Sequence, residues 1–226
     1  MPSVRHSIAS ALLAIGPIVL GAACSSGDAT PSSDADVNSL DGSVLAADAQ
    51  PQNTSDGSPN RPDASTAAGC SAEALQLIAM VNDYRGENAL PPIPASTSLC
   101  IVGDAHVGDL IDNNPDAPSQ CNMHSWSDQG AWSPCCYTAD HAQAQCMWDK
   151  PRELTAYTGN GYENAAGGGG TITPSQALSL WQNSSGHNAV ILNEGIWANQ
   201  EWKAMGAGFQ NGYAVLWFGS ATDPAD

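Results

Sequence analysis

The chain has 226 residues, 42% of them hydrophobic, and a formal net charge of −17 at pH 7. So acidic a surface repels phosphate backbones and carries no basic patch to release counterions, which excludes nucleic acid and anionic lipid surfaces as natural partners. The length suits one ordinary domain with an extra segment.

The extra segment is N-terminal. Arg5 precedes an apolar run from Ile8 to Leu20, which closes on Gly21-Ala22-Ala23-Cys24. The run is too short for a stable membrane span and ends in small residues, so 1–23 reads as a cleaved export signal. A cysteine directly after small residues resembles a bacterial lipoprotein cleavage site, although the usual leucine, here Leu20, sits one position early. That resemblance implies lipidation at Cys24 and an outer-membrane or cell-surface lipoprotein, with plain secretion as the alternative. Residues 24–69 are Ser, Asp, Ala, Pro, Gly, Thr and Asn with scarcely any large apolar side chain. They cannot offset their ordering entropy and are expected to form a disordered tether. The membrane is then touched only through the lipid.

The folded domain is expected over 70–226, long enough to bury roughly 70% of its unfolded surface without a structural metal. Ser71 caps a helix with Ala74, Leu77, Ile78, Val81 and Tyr84 on one face, ending near Asn88 before Pro91-Pro92. A second helix is expected from Ser98 to Ile111, with Leu99, Val102, His106 and Leu110 on its stripe. From Cys121 to Trp148 the sequence has little periodicity and reads as a long disulfide-pinned excursion. Thr173-Pro174 opens a helix that runs to Asn183. Lys203–Phe209 and Tyr213–Phe218 flank Asn211-Gly212, a strong hairpin signal. Helices first, then a gap, a helix and strands, predict an α+β domain with helices on an antiparallel sheet.

Seven cysteines are present. With Cys24 lipidated, Cys70, Cys100, Cys121, Cys135, Cys136 and Cys146 remain, an even set suited to disulfides in an oxidising compartment. Their pairing stays open, except that vicinal Cys135 and Cys136 are not expected to bond each other. No Cys-x-x-Cys spacing supports a zinc site built from thiolates.

Chemistry concentrates in the stretch from Gly159 to Asn193, which holds Glu163 and His187, with His124 upstream among the cysteines. Convergence of these three would form a polar cleft for a divalent metal or a small polar ligand. Each also has a plain reading. Glu163 could accept main-chain N–H bonds in a Gly-rich turn, His187 could cap the last carbonyls of a helix, and His124 could be an exposed histidine. His106 reads as a satisfied core histidine and His141 as a surface one. The Gly167–Gly170 run lacks the Gly-Lys-Ser/Thr ending of a phosphate loop. Of the tryptophans, Trp181 and Trp217 read as core, whereas Trp126, Trp132, Trp148, Trp197 and Trp202 include candidates for a ligand groove.

Several pieces stand in a telling order: Val81-Asn82-Asp83-Tyr84-Arg85 before Leu90-Pro91-Pro92-Ile93, then Gly161-Tyr162-Glu163-Asn164, then Trp181-Gln182-Asn183-Ser184-Ser185-Gly186-His187-Asn188. Met205-Gly206-Ala207-Gly208 and Tyr213–Phe218 follow. This order resembles the CAP superfamily (cysteine-rich secretory proteins, antigen 5 and pathogenesis-related 1 proteins), and most of all its bacterial SCP-domain branch. The resemblance implies a three-layer α-β-α sandwich with a central antiparallel sheet. It also implies a cleft lined by two histidines and two acids, sometimes holding a divalent metal. By position those are His124, Glu163 and His187, with Tyr162 inserted between Gly161 and Glu163; Ser184 stands where the family's second acid would be.

As metal ligands, His124, His187 and Glu163 would make a reduced zinc-type set, Zn2+ being the cofactor it best suits; Ca2+ or Mg2+ would want more oxygen. The function expected is a non-enzymatic binding module for a metal, lipid, peptide or protein ligand. The alternative is a metal-dependent hydrolase, with His124 and His187 as ligands and Glu163 as general base or third ligand. No His-Glu-x-x-His helix or serine nucleophile elbow supports it, so no residue is assigned as catalytic. A structural envelope protein is the third possibility.

Overall fold

The computed structural model describes residues 67–118 and 120–226. The export signal, Cys24 and nearly all of the tether lie outside the described residues. Among those described, no helix is long and apolar enough to cross a membrane.

Two helices open the fold. α1, Ala72–Glu87, starts at Ser71, whose hydroxyl accepts the Ala74 N–H, and it buries Ala74, Leu77, Ile78 and Val81 as its spacing predicts. α2, Thr97–Asn113, begins slightly earlier than expected because Ser96 serves as its cap. Ser98 is drawn into the first turn by Asp223, whose carboxylate accepts its N–H at 2.8 Å, its hydroxyl at 2.7 Å and the Ser96 hydroxyl at 2.6 Å. This cap comes from more than a hundred residues downstream, so local sequence does not announce it.

Two short helices then close the excursion, α3 (Ala144–Trp148) and α4 (Lys150–Leu154). β1 follows at Gly161–Gly167. α5, Pro174–Gln182, opens with a reciprocal capping box between Thr173 and Gln176, and α6 is Ser185–Ile191. The hairpin is β2 (Ala204–Gln210) and β3 (Tyr213–Gly219). Its turn residues take positive φ, 42° at Asn211 and 84° at Gly212, as a two-residue Asn-Gly turn requires.

The strands form an antiparallel sheet in the order β1-β3-β2. One face packs under α1, α5 and α6 through Leu77, Ile78, Trp181, Ile191, Leu216 and Phe218. The other packs on α2 and the excursion through Leu99, Val102, Leu110, Trp126 and Trp217. This is the expected α-β-α sandwich. α2 lies so close to β2 that a Cβ on Gly208 would stand 2.2 Å from the Gly103 carbonyl carbon. Glycine is required where helix and strand backbones meet.

The six cysteines of the domain are all paired, as Cys70–Cys100, Cys121–Cys136 and Cys135–Cys146. The first ties the start of α1 to α2. The other two fold the excursion upon itself, and the vicinal pair is not self-bonded.

Candidate functional site

β1 is the element that assembles the site. Strand alternation sends Glu163 to one face of the sheet and Tyr162 and Asn164 to the other. Glu163 therefore belongs to a strand, not to a Gly-rich turn, and its partners are imidazoles rather than main-chain amides. Its Oε2 lies 2.5 Å from His106 Nδ1 and its Oε1 lies 2.7 Å from His124 Nδ1, with the Glu163 side chain fully buried. The second nitrogen of His106, Nε2, lies 3.0 Å from the Ser125 carbonyl oxygen.

This geometry sets the proton count. A carbonyl only accepts, so Nε2 of His106 donates to Ser125. Toward Glu163, one proton bridges His106 Nδ1 and Oε2, so both ring nitrogens are hydrogen-bonded. The ring is stacked on Trp126 at 4.3 Å between centroids and 8° between planes. Burial by itself pushes the Glu163 carboxyl up. The charge and hydrogen bonds of His106 and His124 outweigh it and hold Glu163 below the usual carboxylate range.

α6 supplies a third imidazole. His187 lies in the first turn of α6 rather than at a helix C-terminus, so the expectation that it caps trailing carbonyls does not apply. Its Nδ1 is 2.9 Å from the Ser184 hydroxyl. Burial first, then the nearby His124, lowers its pKa, with Glu163 pulling the other way, so the ring is largely neutral at pH 7. Asn164, fully buried, donates to the His187 carbonyl at 3.1 Å, and Tyr84 donates to Asn188 at 3.0 Å. These two bonds fasten α6 to β1 and α1.

His124, Glu163, Ser184 and His187 all reach one cavity of about 500 Å³. The rest of its lining is chiefly apolar: Met147 and Trp148 from the end of the excursion, Tyr162 from β1, and Trp197 from the turn after α6. Trp148, Tyr162 and Trp197 form a continuous aromatic wall, with centroids 5.4 and 5.1 Å apart. Ile196 stands at the rim, 87% exposed. His141 is exposed as expected, yet it lines the same cavity and pairs with the Tyr137 hydroxyl at 2.9 Å. Burial first, then the Glu163 charge, raises the Tyr137 pKa. Trp126 and Trp202 are core residues rather than groove residues.

The sequence reading missed the link from His106 to Glu163. A histidine on an apolar helical stripe was a sound sign of a buried, satisfied group. Which carboxylate satisfies it depends on how α2 crosses β1, and no local pattern encodes that.

The donor set can be tested against a divalent metal. Both Glu163 oxygens already contact buried or half-buried imidazoles, and the Nε2 atoms of His124 and His187 are the ring nitrogens of the expected set left without a partner. Two imidazoles fall short of the three protein ligands of a catalytic zinc site. Among the described residues no group of three or more His, Cys, Asp or Glu is arranged to hold a metal ion.

No family model matches the sequence, and no curated protein matches it. The fold is similar to solved bacterial structures. One is an extracellular protein containing a SCP domain from Bacillus anthracis str. Ames, 21% identical, with a TM-score of 0.44, covering 66% of this chain and 40% of that one. Another is a cysteine-rich secretory protein from Staphylococcus aureus subsp. aureus Mu50, 17% identical, with a TM-score of 0.42, covering 66% and 38%. The chain thus spans about two fifths of the length of these structures.

Proposed function

We propose that this chain is an exported CAP-domain binding module, held at the cell surface through Cys24, and that its cavity takes an apolar ligand with a small polar end. One observation carries the reading. Glu163, the carboxylate that lines the cavity, is taken up by His106 and His124, while Trp148, Tyr162 and Trp197 present a continuous aromatic wall. A pocket of this size with a mostly apolar lining and a few polar groups at one end is the usual form of a small-ligand site. Metal-dependent hydrolysis finds less support, because the Glu163 side chain is fully buried and each of its oxygens already bonds an imidazole.

Titration of the full chain with Nile red, a neutral apolar fluorophore, tests this. One site per chain is expected, weakened roughly tenfold or more in Trp197→Ala, since an aromatic wall residue contributes on the order of 1–3 kcal/mol. Dye binding that ignores this substitution, or no binding at all, would sink the reading. One tightly held zinc per chain, lost in both His124→Ala and His187→Ala, would restore the metal centre instead.

A further inference from the structure

The sheet ends at β1, whose outer edge has no strand beside it among the described residues. Main-chain groups of an antiparallel edge strand alternate between facing the neighbour and facing out. Two independent contacts fix which residues face out. The Ala165 carbonyl accepts the Trp181 indole N–H at 3.2 Å, so Ala165 points off the sheet, and Glu163, two residues away, does the same. On the far strand, Met205 bonds away from the sheet to Pro94 and Ser96, so its neighbour Gly206 faces β3. Trp217, paired with Gly206, therefore faces β2, and Glu163, opposite Trp217 in register, is again left facing outward.

Burial then locates these groups. The Glu163 side chain is 0% exposed, whereas the whole residue is 7% exposed and lines the cavity. What Glu163 presents to the cavity is its main chain, one N–H donor and one C=O acceptor side by side on a strand edge. On either side of this edge lie apolar walls, Tyr162 and Trp197 to one face and Met147 to the other.

We propose that the cavity binds an extended peptide that pairs in β-fashion with Glu163 and sends large apolar side chains toward Tyr162 and Trp197. A donor and an acceptor at strand spacing match one amide-linked residue, and neighbouring ligand residues turn to the aromatic face by strand alternation. An acyl chain or a sterol would leave both edge groups without partners, which is costly in an apolar site. The net charge of −17 favours, through long-range attraction, a peptide with basic residues flanking the apolar ones. The inference rests on the binding-module reading above and deepens it.

The test uses the full chain and acetylated, amidated pentapeptides Lys-Z-Ala-Z-Lys, with Z as Phe, Tyr, Trp, Leu or Met, followed by calorimetry. The best member is remade with a methyl on each of its three central amide nitrogens in turn, which removes one donor and leaves the side chains unchanged. A blocking variant, Gly186→Phe, accompanies it. Gly186 lines the cavity, and a Cβ there meets nothing within 4 Å. The expected result is saturable binding that Gly186→Phe abolishes, and that methylation at one of the three positions weakens roughly tenfold, the effect of one lost hydrogen bond in a closed site. Peptide binding indifferent to all three methylations would overturn the strand pairing. Nile red binding with no peptide binding would overturn the peptide and leave the apolar site standing. Failure of both probes would remove the binding module as well.

Discussion

The two ends of this domain are built on different principles. The part formed by α1, α2 and the β2–β3 hairpin is held by apolar surface in regular array: Leu77, Ile78, Val81, Leu99 and Leu216 are all fully buried, and glycines let α2 settle onto β2. The part from Cys121 to Gly167 has no such array. It is held by two disulfides, by the Glu163 carboxylate between two imidazoles, and by Lys150, whose buried ammonium donates to the Ser133 carbonyl at 2.6 Å and to Glu153 at 2.9 Å. Asp109 completes the set by accepting the Ser127 N–H at 2.7 Å, which pins the excursion to α2. A segment with little periodic apolar surface becomes ordered only where covalent links and satisfied charges replace it. The cavity lies on that second part, with α6 closing it.

The sharpest way to break this contrast is to remove the carboxylate. Glu163→Ala leaves His106 and His124 without the carboxylate that both bond, and loss of one partner of a buried pair costs about 3–5 kcal/mol. Urea unfolding is expected to show the unfolding free energy fall by that amount. The double change Glu163→Leu with His106→Phe should cost less than Glu163→Ala, because His106 is no longer left buried without its partner. A double variant as unstable as the single would mean that packing, not charge, holds this region. Next in size is the Cys135–Cys146 link, which closes a separation of 11 residues. Replacing both by serine is expected to cost about 2–4 kcal/mol. Hydrogen exchange should speed up across the excursion while α1 and the hairpin stay protected. Uniform acceleration throughout the domain would show that the two parts unfold as one.

The same contrast explains how much could be read beforehand. α1, α5 and the hairpin announce themselves through local signs: a cap followed by 3.6-residue spacing, Thr173-Pro174, and Asn211-Gly212 between apolar runs. The convergence of His124, Glu163, Ser184 and His187 on one cavity followed motif order, and the geometry brings all four there. β1 was not legible, because Gly161, Gly167 and the glycines beyond it suggest a turn, and its strand character comes from pairing with β3. The role of His106, the edge-facing main chain of Glu163 and the Asp223 cap were not legible for one shared reason. Each joins residues distant in sequence, and the pairing is fixed by how layers stack.

Asp223 offers a smaller test on the apolar part. It is 5% exposed and accepts bonds from Ser96, Ser98 and the Ala225 N–H. Asp223→Ala strands the donors of the first turn of α2 and is expected to cost about 1–3 kcal/mol in urea unfolding, the usual range for buried unsatisfied groups. Burial pushes this carboxyl up, but its hydrogen bonds outweigh that and hold it low. Asp223 and Glu163 therefore act alike in acid. Their stabilisation is complete above the unfolded carboxylate range, near pH ~4, and is lost as pH falls through their lower folded values. Asp223→Ala should blunt that acid limb without changing the apolar ligand site. A cost below a few tenths of a kcal/mol would show that solvent serves the turn equally well.

His187 gives the smallest effect and the most local one. Its folded pKa is lowered, chiefly by burial and then by His124. The unfolded chain thus takes up a proton at this position near pH ~6.5 before the folded chain does, and stability declines as pH falls below that value. This shoulder lies above the acid limb of Glu163 and Asp223, so the two can be separated in one stability–pH profile. His187→Gln keeps a polar side chain beside Ser184 but cannot titrate. It should flatten the profile just below pH ~6.5 and leave the limb below about pH 4 unchanged. Because His187 lines the cavity, a bound peptide with basic flanks should depress its proton affinity further and steepen the shoulder. A shoulder that persists in His187→Gln would assign it to another group and separate the cavity from the mild-acid response of the fold.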